Sequence, residues 1–233
     1  MKKLIIFAIA AALAFTASAQ ELDMVQIPGK NFKMLKTEVT QKLYEIVMGE
    51  NPSKFKESNN PVENVSWYDA IYFCNKLSMK KGLSPVYEVD GKTDVTTWNY
   101  TPHEKNFISG NVTQNANANG FRLPNVEEWQ YAAKGGQNYK YSGSNDLDEV
   151  AWYYDNSGRE THPVAQKKAN GYGLYDMSGN VEEWCWGDYP CGGSCKYEAF
   201  FCEVGFRYSN DASYAYNRYY SYVGFRIVRS LSN

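Results

Sequence analysis

The sequence predicts an α+β fold with two main helices, short strands and much irregular structure. Apolar residues at helical spacing follow residues that can cap a helix, which predicts the helices. Brief apolar runs that end at Gly or Pro predict the strands. Residues 138–173 are rich in Gly, Asn and Tyr and contain few apolar runs, which indicates a long irregular segment. The 233 residues show no internal repeat and no obvious linker, so one domain is expected.

Two strands and a first helix are predicted near the N-terminus. Residues 22–27 and Phe32–Leu35 are short apolar runs separated by the turn signal Pro28-Gly29. Thr40 can cap a helix that ends at Gly49. The apolar face expected for this helix consists of Leu43, Tyr44, Ile46 and Val47.

The first main helix is predicted to begin at Ser66 and to end at Gly82. Ser66 can accept a hydrogen bond from the first turn, and Asp69 can return one to the amide of the cap. Cys74 lies on the apolar face of this helix and is interpreted as a core residue. Two short strands, 86–89 and 95–100, are then predicted around an Asp-Gly hairpin signal.

The second main helix is predicted over Val126–Lys134, with Asn125 as its cap. Its first turn carries Glu127 and Glu128. Neighbouring residues point to different sides of a helix, so these carboxylates cannot face one substrate as an acid/base pair. They are interpreted as charges that stabilise the helix N-terminus.

The first nineteen residues have the pattern of a secretory signal peptide. Two lysines precede an apolar run at 4–15, and Ala17-Ser18-Ala19 is a small-x-small cleavage signal. We therefore expect residues 1–19 to be removed and 20–233 to form an exported monomer in the periplasm or at the outer cell surface. Net charge is −2 without a basic block, which argues against a nucleic-acid partner.

Five cysteines follow the leader, an odd number that leaves at least one thiol unpaired in a monomer. Four of them lie in the C-terminal part of the chain: Cys185, Cys191, Cys195 and Cys202. A zinc site is disfavoured because the two histidines, His103 and His162, lie far away in the sequence. A disulfide within the cluster and buried free thiols both remain open.

The segment from Tyr189 to Tyr222 contains eight tyrosines interleaved with Ser and Asn. Tyrosine offers a large and rigid contact area, while Ser and Asn offer adaptable hydrogen bonds, as in antibody binding loops. This composition is typical of a binding face. It is equally typical of a Tyr-rich core, since tyrosine is often half-buried with only its hydroxyl in water. Composition alone leaves both interpretations open.

Several long motifs then resemble the formylglycine-generating enzyme, or sulfatase-modifying factor, family. They are Asn-Val-Ser-Trp-Tyr-Asp-Ala at 64–70, Phe-Arg-Leu-Pro at 121–124, Tyr-Ala-Ala-Lys-Gly-Gly at 131–136, Gly-Asn-Val-Glu-Glu-Trp at 179–184 and Gly-Phe-Arg at 224–226. The resemblance covers nearly all of the chain after the leader. It implies a large variant of the C-type lectin fold, which agrees with the α+β prediction.

Oxidase members of this family use two cysteines, five residues apart, to bind copper. The corresponding positions here are Tyr197 and Cys202, so one of the two thiols is absent. One thiolate cannot provide the two-sulfur site that Cu(I) prefers. We therefore expect no catalysis and no required cofactor. A copper-dependent formylglycine-generating oxidase and a structural envelope protein remain as alternatives.

The C-terminus resembles a different branch, the variable proteins of diversity-generating retroelements of the Treponema type. In the proteins of that branch, reverse transcription that is error-prone at adenines diversifies codons near the C-terminus, from a near-copy of that coding segment beside a reverse transcriptase gene. The resemblance implies a scaffold that displays diversified residues, here at about 187–222, to a protein or glycan ligand. The residues expected to contact ligand are Cys195, Lys196, Tyr197, Glu198, Phe200, Tyr208, Ser209, Asn210, Asp211, Tyr214, Tyr216, Tyr219, Tyr220 and Tyr222. Gly205-Phe206-Arg207, Arg218 and 224–226 are expected to belong to the scaffold, with arginines that bridge carbonyls and carboxylates.

The resemblance also implies a structural calcium ion near Asn180 and Glu182 and near the loop at 152–156. Carboxylate and carbonyl oxygens are the ligands that this hard cation takes.

Overall fold

A computed structural model describes residues 22–104, 106–187, 189–208 and 217–231. The leader therefore lies outside the described residues, as do Ser209, Asn210, Asp211, Tyr214 and Tyr216. The strands are β1 (Met24–Gln26), β2 (Phe32–Leu35), β3 (Tyr87–Val89), β4 (Val112–Gln114), β5 (Phe121–Arg122), β6 (Glu182–Glu183), β7 (Val223–Gly224) and β8 (Val228–Ser230). The helices are α1 (Gln41–Met48), α2 (Trp67–Lys80), α3 (Val126–Lys134) and α4 (Leu147–Val150). This mixture of few helices and short strands confirms the predicted α+β, C-type lectin-like fold.

The principal sheet joins the two ends of the domain. It has four antiparallel strands in the order β1-β2-β8-β5. Met34 on β2 lies opposite Val228 on β8, and Arg122 on β5 lies opposite the same residue from the other side. The last regular strand is therefore inserted between an N-terminal strand and a central one, which fixes the C-terminal end of the described chain in the fold.

A second pair of strands brackets the Tyr-rich segment. β6 and β7 are parallel, with Glu182 opposite Val223 and Glu183 opposite Gly224. The chain leaves β6, passes through residues 184–222 and returns beside its starting point at β7. Both ends of the predicted binding segment are thus attached to one rigid base.

Helix α1 confirms the predicted caps and corrects the predicted apolar face. The Thr40 side chain accepts a hydrogen bond from the Leu43 amide, and Gly49 ends the helix at φ 92°, a left-handed conformation that suits glycine. Tyr44 and Val47 are buried as expected, but Ile46 is 56% exposed. The prediction for Ile46 was wrong because the buried stripe of this helix contains Gln41 instead.

The caps of both main helices are confirmed. The Asp69 amide donates to Ser66 Oγ at 3.0 Å, and the Ser66 amide donates to Asp69 Oδ2 at 2.8 Å, so α2 has a full capping box. Asn125 and Glu128 form the same reciprocal pair at the start of α3, at 2.8 and 3.0 Å. Helix α2 ends at Lys80 and has Lys81 as its C-terminal cap, so it ends two residues before the predicted Gly82.

The strand predicted at 95–100 is wrong. Val95–Thr97 forms a 3₁₀ turn, because the Asp94 side chain accepts a hydrogen bond from the Thr96 amide and competes with strand pairing. The partner of β3 is instead β4. The Asp-Gly turn exists, with an isolated bridge between Val89 and Lys92, but it does not join two paired strands.

No disulfide joins the five cysteines, which all lie in the described residues and are all buried, Cys74 on the predicted core face of α2. In this reduced form the cysteines correspond to the second alternative left open by the sequence, buried thiols. Within the described ranges, no helix is both long and apolar enough to span a bilayer.

Candidate ligand-binding surface

The base under the Tyr-rich segment is a buried ion pair between β6 and the residues after β7. The Arg226 guanidinium donates to Glu183 from Nε at 2.8 Å and from Nη2 at 2.7 Å. Its remaining hydrogens reach the carbonyls of Leu35, Lys36 and Tyr175 at 2.8 to 3.2 Å. Both side chains are essentially inaccessible to solvent. The prediction that the terminal Gly-Phe-Arg arginine bridges a carboxylate and carbonyls is confirmed.

Three tryptophans connect this base to the helices. Trp129 on α3 donates its indole N–H to Glu183 Oε2 at 2.7 Å, which completes the hydrogen bonding of that carboxylate. Trp184 donates to the Val65 carbonyl at 3.0 Å, and Trp67 on α2 donates to the Cys185 carbonyl at 2.9 Å. The start of the binding segment is therefore held by both main helices.

Eight aromatic residues of the C-terminal segment form a continuous array of ring contacts, which we call the aromatic surface. They are Tyr189, Tyr197, Phe200, Phe201, Phe206, Tyr208, Tyr220 and Tyr222. Tyr197 contacts Phe201 at 5.0 Å between ring centroids and Tyr222 at 5.4 Å. Phe206 contacts Phe200, Phe201 and Tyr208 at 5.0 to 5.2 Å. These separations lie in the range of favourable aromatic pairs.

The exposure of the predicted contact residues divides them into two groups. Glu198 is exposed and Phe200 is 59% exposed, while Lys196, Tyr197, Tyr208, Tyr219, Tyr220 and Tyr222 are half-buried. Tyr219 differs in its surroundings, because its ring lies 6.3 Å from the ring of His103. The structure thus brings residues from 196–208 and from 220–222 into one surface.

Cys195 is a correction to the predicted contact set. Its side chain is fully buried, and burial raises the pKa of the thiol to about 12, so it stays protonated. Its backbone is fixed as well, since its amide donates to the Asn180 carbonyl at 2.9 Å and its carbonyl accepts from the Ser157 hydroxyl at 2.9 Å. Cys195 supports the surface from below and does not reach a ligand.

The sequence interpretation missed some members of the aromatic surface and assigned others to the scaffold. Tyr189 and Phe201 are absent from the predicted set of ligand-contacting residues. Phe206 was expected to belong to the scaffold, although its ring contacts the ring of Phe200. Arg207 and Arg218, also expected in the scaffold, are exposed. Arg207 donates to Gln130 Oε1 at 2.6 Å on the face of α3. The aromatic character of Phe201 and Phe206, which lie near the tyrosines in the sequence, is the signal that could have assigned these two residues to the aromatic surface.

The positions of the oxidase cysteines are occupied by a surface tyrosine and a buried thiol. Tyr197 is packed between Phe201 and Tyr222. Cys202 is fully buried, and burial, with a smaller contribution from Glu182, raises the pKa of its thiol to about 12. A thiol in this state is a poor nucleophile and a poor metal ligand.

The two side chains at the expected calcium position, Asn180 and Glu182, form hydrogen bonds with other protein groups. The Asn180 amide group donates to Glu38 Oε2 at 2.9 Å and accepts from the His162 amide at 3.0 Å. Glu182 Oε1 accepts from the Tyr208 hydroxyl. One oxygen of each of these two side chains is therefore already used by a protein donor. Across the ranges described above, no three His, Cys, Asp or Glu side chains are grouped to hold a metal. The calcium site remains a prediction without support from this geometry.

Two related proteins share part of this sequence. Chaperone protein LppX of Paenibacillus barcinonensis is 46% identical over 193 residues, covering 74% of this chain and 68% of that protein. The formylglycine-generating enzyme of Mus musculus is 29% identical over 151 residues, which span 58% of this chain and 29% of the enzyme.

Two solved structures superimpose on this chain over most of its length. Treponema denticola variable protein 1, a variable protein of a diversity-generating retroelement, superimposes with a TM-score of 0.75 at 36% identity, covering 89% of this chain and 91% of that one. CarF superimposes with a TM-score of 0.67 at 30% identity, covering 86% and 87%. Residues 10–231 match the sulfatase-modifying factor enzyme 1-like domain. The chain therefore belongs to the sulfatase-modifying factor enzyme 1-like family.

Proposed function

We propose that this chain is an exported, non-enzymatic binding protein that holds a protein or glycan ligand on the aromatic surface. The observation that carries this proposal is the continuous set of ring contacts from Tyr189 to Tyr222, with Phe200 59% exposed at its outer side. Half-buried aromatic rings clustered around an exposed ring are typical of an interaction site. The charged neighbours Lys196 and Glu198 supply polar contacts at its edge.

The similarity to Treponema denticola variable protein 1 supports a display role for this surface. We propose that the positions exposed around the aromatic surface are diversified, while the buried frame of Glu183, Arg226 and Trp129 is kept. A frame of this kind suits diversification, because its stability comes from contacts below the surface. Replacing a surface ring then changes the ligand without unfolding the scaffold.

The proposal that the chain is not an oxidase rests on the cysteine positions. Only one of the two thiols required for Cu(I) is present, and it is buried and protonated. Incubation with Cu(I), oxygen and a Cys-bearing sulfatase peptide should give no formylglycine. Detection of that product by mass spectrometry would contradict the proposal.

The binding role can be tested with the purified mature domain on a glycan array and on an array of folded proteins. The test variant is the double substitution Tyr197→Ser with Phe200→Ser. The control is Phe107→Ser, because Phe107 is 62% exposed and matches Phe200 in type and exposure outside the C-terminal segment. We expect the test variant to lose at least tenfold in affinity for any selected ligand, and the control to keep it. Equal loss in both, or no loss in either, would contradict the proposal.

A chaperone is the second candidate, because Chaperone protein LppX shares 46% identity with this chain. An aromatic surface that recognises unfolded polypeptides would suit that role. The two candidates differ in the form of the ligand. A chaperone suppresses the aggregation of an unfolded client at stoichiometric ratio, whereas a display protein binds a folded protein or a sugar and leaves aggregation unchanged. Light scattering of a heat-denatured client separates them.

A further inference from the structure

Two cysteines at the start of the C-terminal segment lie close enough to form a covalent bond. The Sγ atoms of Cys185 and Cys191 are 3.7 Å apart. A disulfide requires a separation of about 2.0 Å, so the two sulfurs must approach each other by about 1.7 Å. Sequence spacing alone does not select these two cysteines as a pair, because four cysteines lie in this region.

The backbone holds both residues in register. Cys191 exchanges two hydrogen bonds with Glu183, at 2.9 and 3.0 Å, and Glu183 lies on β6 two residues before Cys185. The Cys185 carbonyl accepts from the Trp67 indole at 2.9 Å. The two cysteines therefore lie on either side of a short connection that carries Tyr189, and both ends of that connection are fixed by these hydrogen bonds. Closing the sulfur–sulfur distance needs no change in strand pairing.

The pair differs in accessibility. Cys185 is fully buried, whereas Cys191 is 6% exposed and forms part of the wall of a pocket of about 80 Å³. The same pocket is lined by Tyr189, Phe206 and Tyr208 of the aromatic surface. An external reagent therefore meets Cys191 first. A pocket of this volume holds a few water molecules. It is too small for an oxidant of the size of glutathione, a tripeptide, so it must open for such an oxidant to enter.

We propose that Cys185 and Cys191 form an intramolecular disulfide in an oxidising environment. The oxidant is a small or protein-borne disulfide. The Cys191 thiolate attacks one sulfur of that disulfide and expels the other as a thiol. The Cys185 thiolate then attacks the mixed disulfide and expels the second thiol. The protein loses two electrons and two protons, which the two released thiols carry.

This bond fixes the loop that carries Tyr189, the residue at one end of the aromatic surface. The inference goes beyond the proposed binding function and does not depend on it, because the chemistry requires only an oxidising environment. Exported proteins keep disulfides, whereas reducing compartments remove them.

The test uses the full mature domain, equilibrated in buffers of reduced and oxidised glutathione, quenched with acid, alkylated and mapped by mass spectrometry. In oxidised buffer we expect the number of alkylated thiols to fall by two from five, and a peptide that links Cys185 to Cys191. Cys191→Ser should lose this link, while Cys195→Ser should keep it. The wild-type map stands by itself if either variant fails to fold.

Three outcomes would overturn the inference. All five thiols could remain after equilibration, the link could join a different pair such as Cys195 and Cys202, or glutathione could stay on Cys191 without release by Cys185. Each is distinguished in the same peptide map. A reversal of the link in dithiothreitol, with recovery of the two thiols, completes the expected result.

Discussion

At the scale of single residues, Arg226 is the centre of the frame. It reaches one carboxylate and three backbone carbonyls, all from a position without solvent access. A buried ion that loses its partner keeps the full cost of desolvation. The stability of the base therefore depends on Arg226 and Glu183 together, more than on any exposed ion pair.

Replacing Arg226 with methionine should destabilise the domain by about 3–5 kcal/mol, because Glu183 is left buried without its cation. Urea unfolding followed by tryptophan fluorescence measures this loss. Arg207→Met is the control, since Arg207 is exposed, and it should change stability by about 0.5 kcal/mol or less. Similar losses in the two variants would show that the buried pair is not the main support.

Glu63 gives a prediction about pH. Burial raises the pKa of this carboxyl from 4.5 to about 7, although the Phe55 amide donates to it at 2.8 Å. A raised pKa means that the folded state holds the proton where the unfolded state has released it. The contribution of Glu63 to stability is therefore largest at low pH and falls as pH rises from 4.5 to about 7.

Glu63→Gln removes this dependence while it keeps an oxygen for the Phe55 amide. The free energy of unfolding of the variant minus that of the wild type should therefore increase by roughly 1–3 kcal/mol as the pH is raised from about 4 to about 8. The measurement is a pair of urea titrations at each pH. A constant difference between the two proteins across this range would contradict the assigned pKa.

At the scale of elements, the helix caps were readable from the sequence and the short strands were not. Ser66 and Asn125 can be recognised because the cap, its hydrogen bond and the first turn lie within four residues. β6 and β7 have two residues each, and their pairing joins positions about forty residues apart. No local pattern specifies such a pair. The strand predicted at 95–100 failed for a different reason, since the local turn at Asp94 outweighed a β-rich composition.

Asn125→Ala should cost about 1 kcal/mol, because the Glu128 amide at the start of α3 loses its acceptor. Asn125→Asp is the matched control, since aspartate caps a helix as well as asparagine does. Thermal unfolding by circular dichroism measures both variants. If the two substitutions lower the melting temperature equally, the cap is not the cause.

At the scale of the whole molecule, the fold converts a sequence segment into a surface. Tyr197 and Tyr222 are 25 positions apart in the numbering, yet their rings touch because β6 and β7 return the chain to its start. Composition identified the segment but could not separate a core from a face. The outcome is mixed, with Phe200 outside and Cys195 inside, and this division follows from tertiary packing. The family motifs identified the scaffold because they are long and occur in order.

The rival interpretation of a structural protein makes the aromatic residues part of the core. Phe200→Ala should change the free energy of unfolding by about 0.5 kcal/mol or less, because the ring is 59% exposed. Phe225→Ala should cost about 3–5 kcal/mol, because that ring is fully buried. Urea titration compares them directly. A large loss from Phe200→Ala would favour the structural role.

Diversification of the C-terminal segment is tested by the DNA sequence of this locus across many sibling isolates, together with the region downstream. We predict substitutions confined to codons of about 187–222, at positions that correspond to adenines in a nearby repeat beside a reverse transcriptase gene. They should fall on exposed and half-buried positions such as Lys196, Glu198 and Phe200, and spare Cys195, Glu183 and Arg226. Substitutions spread evenly along the chain, or as frequent at these buried positions as at the exposed ones, would contradict it.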